Sequence, residues 1–367
     1  MKEPEGPTET PDVVPGEIHS KFSSMTEIEI PRGEKGARYL LKRTPTNYLL
    51  NQAYGLWVFG SFFILTLIMT RKVSVFEYGV YAIAMAAFNT IAYIVAFGLE
   101  DATTTFVPRV LTVHGQAAAA SLVRRMLALR LAILTVSVVI LLFALPALSL
   151  VIGAIPLSGS AGIAAGLRDP SLLVHITPIA VFVFGNGIAS LLTAVYASQM
   201  RMRIVFIVGS ATQLLLLVCS FITLQLGWGI DSVLWLQAIF SLVNAAAFGL
   251  WQIPLLLTGG STYTQPIKPV MRVGISAWIT NLISGAMFKQ VSIILLAYFT
   301  VSVVQIAYFN LSFQLAHAAS LLLVSGFGGV AGSALAAAFV NMNHERLARS
   351  WQTLIKIETL LSAPVLV

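Results

Sequence analysis

The run GISAWITNLISGAMFKQVSIILLAYF occupies residues 274–299 and carries a single charged side chain, Lys289. About 20 apolar residues suffice to cross the hydrocarbon of a bilayer, so the run reads as one membrane-spanning helix. Lys289 lies ten residues from its far end, about 15 Å deep at ~1.5 Å rise per residue. An ammonium at that depth is costly and is tolerated where it faces a bundle interior or a wet cavity. A second apolar run follows at 301–327, with Asn310, Gln314 and His317 at spacings of four and three. Those spacings put the three side chains on one helix face. A cation beside a polar stripe inside lipid predicts a path for an anionic or sugar-bearing substrate.

The rest of the chain shares that character. Of its 367 residues 57% are hydrophobic and 10% are charged, with a mean hydropathy of +0.86. A soluble domain carries about 25% charged residues, so the expected fold class is all-α, a polytopic transmembrane helical bundle. The net charge of +7 is then a topology signal rather than a nucleic-acid footprint. Cys219 is the only cysteine, which excludes an intrachain disulfide, and the sequence has no zinc-type ligand spacing. No cofactor is expected. Gly326, Gly328, Gly329 and Gly332 lack the Lys-Ser/Thr of a phosphate loop and read as close packing or a hinge. Gly185 and Gly187, with Pro178, mark a bendable fourth span.

Residues 1–46 form a polar tail, expected to be disordered over 1–35, with a basic collar at Lys35–Arg43. No signal-peptide core precedes the first span. Spans are expected at 47–70, 78–99, 126–153, 172–198, 204–227, 231–257, 273–299 and 301–327, and a ninth begins near 353. Between the second and third, GQAAAASLVRRMLALR (115–130) reads as an Ala-rich helix that runs along the surface before turning into the membrane. Basic residues collect on the cytoplasmic side. With the N-terminus inside, inner segments hold eighteen Lys and Arg and outer loops three, leaving Lys289 within a span. The expected location is the plasma (inner) membrane, multi-pass, with a cytoplasmic N-terminus.

A weak internal repeat organises the spans. Val73-Ser74-Val75 opens the second and Val301-Ser302-Val303 opens the eighth, 228 positions later, and at that offset Glu77 meets Gln305. Six spans separate the two copies, so both keep the same orientation, as in two-lobe transporters with a substrate path between the lobes. The expected division is a first lobe of six spans at 47–257 and a second lobe at 258–367. The second has two complete spans and part of a third, which reads as a truncated sequence.

Polar residues mark the candidate cavity: Asn51 and Tyr54 on the first span, Asn89 on the second, Asn281 and Lys289 on the seventh, and Asn310, Gln314 and His317 on the eighth. Helix–helix hydrogen bonding is the alternative for any one of them, and a lysine snorkelling to the interface is the alternative for Lys289. An unpaired ammonium suits phosphate as a point charge. An enzyme is not expected. Glu100-Asp101 is an acidic pair such as membrane glycosyltransferases carry in an outer loop, but the charge count puts it on the inner side, and no nucleophile or metal cluster accompanies it.

The run VFEYGVYAIAMAAFNTIAYIVAFGLEDATTTFVPRV at 75–110 resembles the start of Wzx-type polysaccharide flippases. The likeness rests on Tyr78-Gly79 opening the second helix, Gly98-Leu99 at its inner end, and the basic amphipathic stretch LVRRMLALRL at 122–131. The stretch 335–367, with Arg346 and Pro364, is similar to the second-lobe equivalent. The resemblance implies the MOP superfamily, two six-helix lobes and alternating access. It implies export of an oligosaccharide on undecaprenyl pyrophosphate, with Lys289 lining the central cavity. Expected partners are that lipid-linked oligosaccharide, membrane lipids and polysaccharide polymerase machinery, and no nucleic acid. The rivals are a drug/cation antiporter of the same superfamily, which calls for carboxylates at mid-membrane, and a non-transporting scaffold in polysaccharide synthesis.

Overall fold

The computed structural model describes residues 33–144, 175–258, 265–283, 292–293, 295–296, 302–324, 352 and 356. Among these residues the chain is helical, with no strand. In chain order the long helices are α1 (Gly33–Lys72), α2 (Val75–Ile94), α3 (Leu99–His114), α4 (Gln116–Val139, continued by a π-helical turn at Ile140–Ala144) and α5 (Ile176–Ser198). They continue with α6 (Met202–Gln225), α7 (Gly229–Leu257), α8 (Ile267–Ile283) and α9 (Val303–Val324). Among the described residues, six segments are long and apolar enough to cross a membrane: Lys42–Lys72, α2, Gln116–Phe143, α5, α6 and α7. Phe143, Ile207, Leu215, Leu250 and Leu257 are among the exposed large apolar side chains. Such a belt would be an aggregation hazard in water and is an ordinary lipid-facing surface in a bilayer.

Two boundaries differ from the sequence reading. The first helix begins at Gly33, so the basic collar and the last part of the expected tail are helical. The Ala-rich stretch does not lie along the surface. Gln116–Val139 is one unbroken helix that belongs to the third span, and the separate short helix is α3, before it. The break is at Gly115, whose φ of 86° is open to glycine and strained for other residues. Ala118, Ala119 and Ala120 are buried because their small side chains allow close packing of helix backbones.

The first lobe is built around α5. Gly185 sits where a Cβ would fall on Ser241 of α7, and at Gly187 one would meet Leu134 and the Arg130 guanidinium. These glycines therefore permit close helix approach, and α5 runs unbroken from Ile176 to Ser198. Tyr196 donates to the Phe248 carbonyl at 2.8 Å, fixing α5 to α7. Along α1 and α6, the Asn47 amide oxygen accepts from Met202 N at 2.8 Å, Trp57 Nε1 donates to Ser210 O at 3.2 Å, and Lys72 Nζ reaches Gln225 Oε1 at 2.9 Å. The bonds run the length of the pair.

The repeat has a structural counterpart. Ser74 caps α2 in a capping box: its Oγ accepts from Glu77 N at 3.2 Å, and Glu77 Oε2 accepts from Ser74 N at 2.8 Å. At the start of α9, Ser302 Oγ accepts from Gln305 N at 3.3 Å. The serines and the residues three further on are the pairs related by the 228-residue offset. These two helices also meet each other, for a Cβ on Gly79 would fall on the Val303 carbonyl.

Candidate functional site

Where α8 and α9 meet the first lobe, two polar contacts form, one at each end of the bundle. At the Ser74 end, Asn310 Nδ2 donates to the Tyr78 hydroxyl at 3.0 Å, and Thr66 Oγ1 donates to Gln314 Oε1 at 2.9 Å. The Tyr78 and Tyr81 rings stack with centroids 6.2 Å apart, and Gln237 Nε2 donates to the Tyr81 hydroxyl at 2.6 Å. The Gln237 side-chain oxygen is buried with no hydrogen-bond partner among the described residues. Two helices, α1 and α2, thus present hydroxyl groups to the amides of α9, with Gln237 of α7 behind them on Tyr81, and none of these groups carries a charge.

The other contact is at the Gly98 end. The chain leaves α2 through Phe97 and Gly98, both left-handed, with φ of 47° and 62°. A Cβ at Gly98 would fall on the Gly274 carbonyl of α8, so both the conformation and the packing require glycine there. One turn along, the Trp278 ring stacks on Phe97 at 5.1 Å, and its Nε1 donates to the Tyr93 carbonyl at 2.9 Å. Asn281 Nδ2 donates to Asp101 Oδ2 at 3.2 Å. Burial raises the Asp101 pKa above the usual carboxylate value, the neighbouring Glu100 charge adds to that, and the Asn281 bond works against it.

The Gly98 corner is held from behind by Arg130 of α4, which is 2% exposed. Its Nε donates to Gly187 O at 2.9 Å, and Nη1 donates to Val95 O at 2.8 Å and Ala96 O at 3.1 Å. Its Nη2 donates to Glu100 Oε1 at 2.8 Å and Ser190 Oγ at 3.3 Å. Ser190 also donates to Glu100 at 2.7 Å. All five N–H groups of the guanidinium are therefore used, and Nη1 spends both of its own on the Val95 and Ala96 carbonyls just past the end of α2.

The magnitudes separate the two kinds of contact. Hydrogen bonds between membrane helices average about 0.6 kcal/mol each. Breaking a buried ion pair by removing one partner costs about 3–5 kcal/mol. The Arg130 cluster is therefore the more strongly held of the two, and the contacts to α8 and α9 are the weaker.

The structure brings together only some of the residues singled out in the sequence. Asn310 and Gln314 lie at the Ser74-end contact, and Asn281 lies at the Gly98-end contact. Tyr54 is inside the first lobe, packed over Gly209 with its hydroxyl hydrogen-bonded to Asn244. Asn89 donates to the Met85 carbonyl of its own helix at 2.8 Å, and Asn51 is half-buried on α1. Lys289, the side chain of His317, the glycines at 326–332 and the segment from 353, apart from Lys356, lie outside the described residues. The acidic pair diverges, Glu100 toward Arg130 and Asp101 toward Asn281. Sequence reading passed over Thr66, Tyr78, Tyr81 and Gln237, although the 228-residue offset pairs Tyr81 with Phe309, the neighbour of Asn310.

No family model matches the sequence, and no curated protein matches it. Solved structures do. A MATE protein crystallised in complex with MaL6 superposes with a TM-score of 0.65 at 18% identity, over 91% of this chain and 73% of that one. A MOP superfamily transporter from Pyrococcus furiosus, described as having a binding pocket of reverse polarity that suggests a different function, gives 0.61 at 19%, over 91% and 73%. A multidrug resistance MATE family transporter of the MOP superfamily, in an inward-facing conformation, gives 0.55 at 16%, over 87% and 68%. At these identities the likeness is one of architecture: this chain has the fold of the MATE and MOP transporters.

Proposed function

We propose that the protein is an alternating-access transporter that moves a polyprenyl-pyrophosphate-linked oligosaccharide from the inner to the outer leaflet. The observation that carries this reading is the contact at the Ser74 end. Thr66, Tyr78, Asn310 and Gln314 meet there through uncharged hydroxyls and amides. Groups of that kind exchange readily between each other and the hydroxyls of a sugar. The contact is weak enough, at about 0.6 kcal/mol per bond, for a substrate to shift its population.

A cationic drug would call for a carboxylate in the path. Among the described residues, Glu77 is engaged in the α2 cap, Glu100 pairs with Arg130, Asp231 lies 3.5 Å from His175, and Asp101, at the Gly98 end, accepts from Asn281, so none of the four stands at the Thr66–Gln314 and Tyr78–Asn310 contact. Lys289, from its depth in the sequence, would hold the pyrophosphate. The charge count supports a cytoplasmic N-terminus in the plasma membrane, with the Gly98 end inside and the Ser74 end outside. Polymerase machinery for the exported chain is the expected neighbour.

Complementation of a flippase-deficient strain tests the proposal. Rescue is expected, Lys289→Ala should abolish it with the protein still inserted, and Lys289→Arg should keep part of it. Normal insertion without rescue favours a scaffold. The MATE neighbours support a second reading, drug/cation antiport, which predicts cationic dye efflux from vesicles and no rescue.

A further inference from the structure

At the end of the bundle that the charge count puts inside, the α1–α6 pair gathers cations that the transport reading leaves unused. Tyr39, Arg43 and Asn47 recur every four residues, so they share one face of α1. Asn47 shows what that face meets, because its Oδ1 accepts from Met202 N, at the start of α6, at 2.8 Å. Arg43 and Tyr39 lie one and two turns further out along the same face. Opposite them the chain turns from α5 into α6 through the left-handed Met200, and Arg201 N donates to the Tyr196 carbonyl at 2.9 Å. The Arg43 guanidinium stacks on the Tyr39 ring, 4.5 Å from its centroid. Both guanidiniums act on the Tyr39 phenol, and Arg43 acts on Arg201. The two cations therefore share one neighbourhood.

Arg43 and Arg201 are both half-buried. Burial lowers the Arg201 pKa from its ordinary value, the Tyr196 and Tyr39 phenols oppose that, and the Arg43 charge adds to it. Like charges partly withdrawn from water are stabilised by an anion placed against both. Among the described side chains the carboxylates are engaged elsewhere: Glu77 in its cap, Glu100 with Arg130, Asp101 with Asn281 and Asp231 beside His175. The Tyr39 hydroxyl is shielded from solvent and has no hydrogen-bond partner among the described residues, so it adds a donor that lacks an acceptor. Stacking uses the face of the Arg43 guanidinium and leaves its in-plane N–H groups for oxygen acceptors. A set of donors around two positive charges matches phosphate, whose oxygens pair bidentately with arginine.

Depth selects the source of that phosphate. The span Lys42–Lys72 has 31 residues, about 46 Å of helix against ~30 Å of hydrocarbon. Its charged ends, Lys42-Arg43 and Arg71-Lys72, therefore fall at the level of the headgroups. Six residues inward from the two arginines, Leu49 on α1 and Ile207 on α6 are exposed apolar side chains, about 9 Å deeper along their helices, where acyl chains run. We infer that the inner end of the α1–α6 pair is a binding site for the phosphate of an anionic membrane lipid, clamped by Arg43 and Arg201, with the Tyr39 ring holding Arg43 in place. A soluble phosphate has the same charge but no acyl chains to lie against Leu49 and Ile207. The site is built from the first lobe alone and does not require that the protein export anything.

Native mass spectrometry and melting temperature of the purified full-length protein in detergent test the site, with phosphatidylglycerol, phosphatidylcholine and inorganic phosphate as probes. Phosphatidylglycerol should bind and raise the melting temperature by mass action, and phosphatidylcholine should bind about tenfold more weakly. Arg43→Gln and Arg201→Gln should each weaken phosphatidylglycerol binding about tenfold, because charged hydrogen bonds are lost. Arg43→Lys should lose less, keeping the charge without the planar fork. Lys268→Gln, which removes an exposed lysine of α8, should leave binding unchanged. Should Arg201→Gln fail to fold, judged by its melting without lipid, the two Arg43 variants and Tyr39→Phe, expected to weaken binding about threefold, decide the matter. Equal binding of the two lipids, or parent-like binding of phosphatidylglycerol by Arg43→Gln, overturns the site. An equal loss in Lys268→Gln also overturns it, by showing a general attraction of lipid to a basic surface. Displacement of the lipid by equimolar inorganic phosphate would make the ligand a soluble anion and overturn the lipid assignment.

Discussion

Arg130 and Glu100 form a 2.8 Å ion pair in which the arginine is 2% exposed and also closes two backbone carbonyls of the corner that meets the second lobe. Removing the arginine leaves the Val95 carbonyl without its donor and the partly buried Glu100 carboxylate without its cation. Arg130→Ala should cost about 3–5 kcal/mol, read as a fall in melting temperature in detergent or as lost folded protein. Arg130→Lys should recover only part of this, because one ammonium cannot reproduce the five-donor fork. Glu100→Gln should be milder than either, since its amide oxygen still accepts from Arg130 and Ser190.

The crossing of α2 and α9 has no room for a side chain at Gly79, where a Cβ would fall on the Val303 carbonyl. The obstacle is backbone, so it cannot swing aside. Gly79→Ala should push the helices apart and abolish export while the first lobe stays folded. Its six spans contact one another independently of α9. Protease resistance of the first lobe, measured beside export, checks both halves of that expectation, and normal export by Gly79→Leu would refute it.

Tyr78→Phe removes a hydroxyl that bonds to α9 and leaves the ring stack with Tyr81 in place. At about 0.6 kcal/mol per interhelical bond, its melting temperature should change little. Export should change several-fold if the protein works as proposed, because the bond would then belong to a surface that opens in each cycle. A loss of stability without a change in export would make Tyr78 an ordinary packing residue. Asn310→Ala should behave in the same way as Tyr78→Phe, and the double variant should show less than the summed effect of the two.

Orientation is checked by thiol labelling in the Cys219→Ala background. A cysteine at Ser160 should react with an impermeant reagent added outside intact cells, and one at Thr105, exposed on α3, should react only after the membrane is opened. Reversed labelling would exchange inside and outside for both lobe contacts.

Sequence reading identified the elements well because lipid imposes a strong one-dimensional rule. Every backbone N–H and C=O in hydrocarbon must be bonded within its own segment, so long apolar runs become helices wherever they occur. The spans that became α5, α6 and α7 were therefore legible to within a few residues. So was the repeat, because Ser74 and Ser302 cap their helices through local bonds to residues three positions on. The separate short helix was placed too late because alanine suits both a helix on the membrane surface and one packed inside. Only the burial of Ala118–Ala120 and the left-handed Gly115 distinguish them.

The candidate site was legible only in part, for a related reason. Asn310, Gln314 and Asn281 stood out as polar residues in apolar runs, but so did Tyr54 and Asn89, whose hydrogen bonds are spent inside the first lobe or on their own helix. One polar side chain in a span signals a partner without saying where it is. The sequence by itself determined that the chain forms long apolar helices able to span a membrane, because length, hydropathy and capping are properties of contiguous residues. Tertiary structure alone decided that Glu100 is locked against Arg130 while its neighbour Asp101 meets Asn281. Adjacent residues on a helix point about 100° apart, and which face each one meets depends on helices packed from distant parts of the chain.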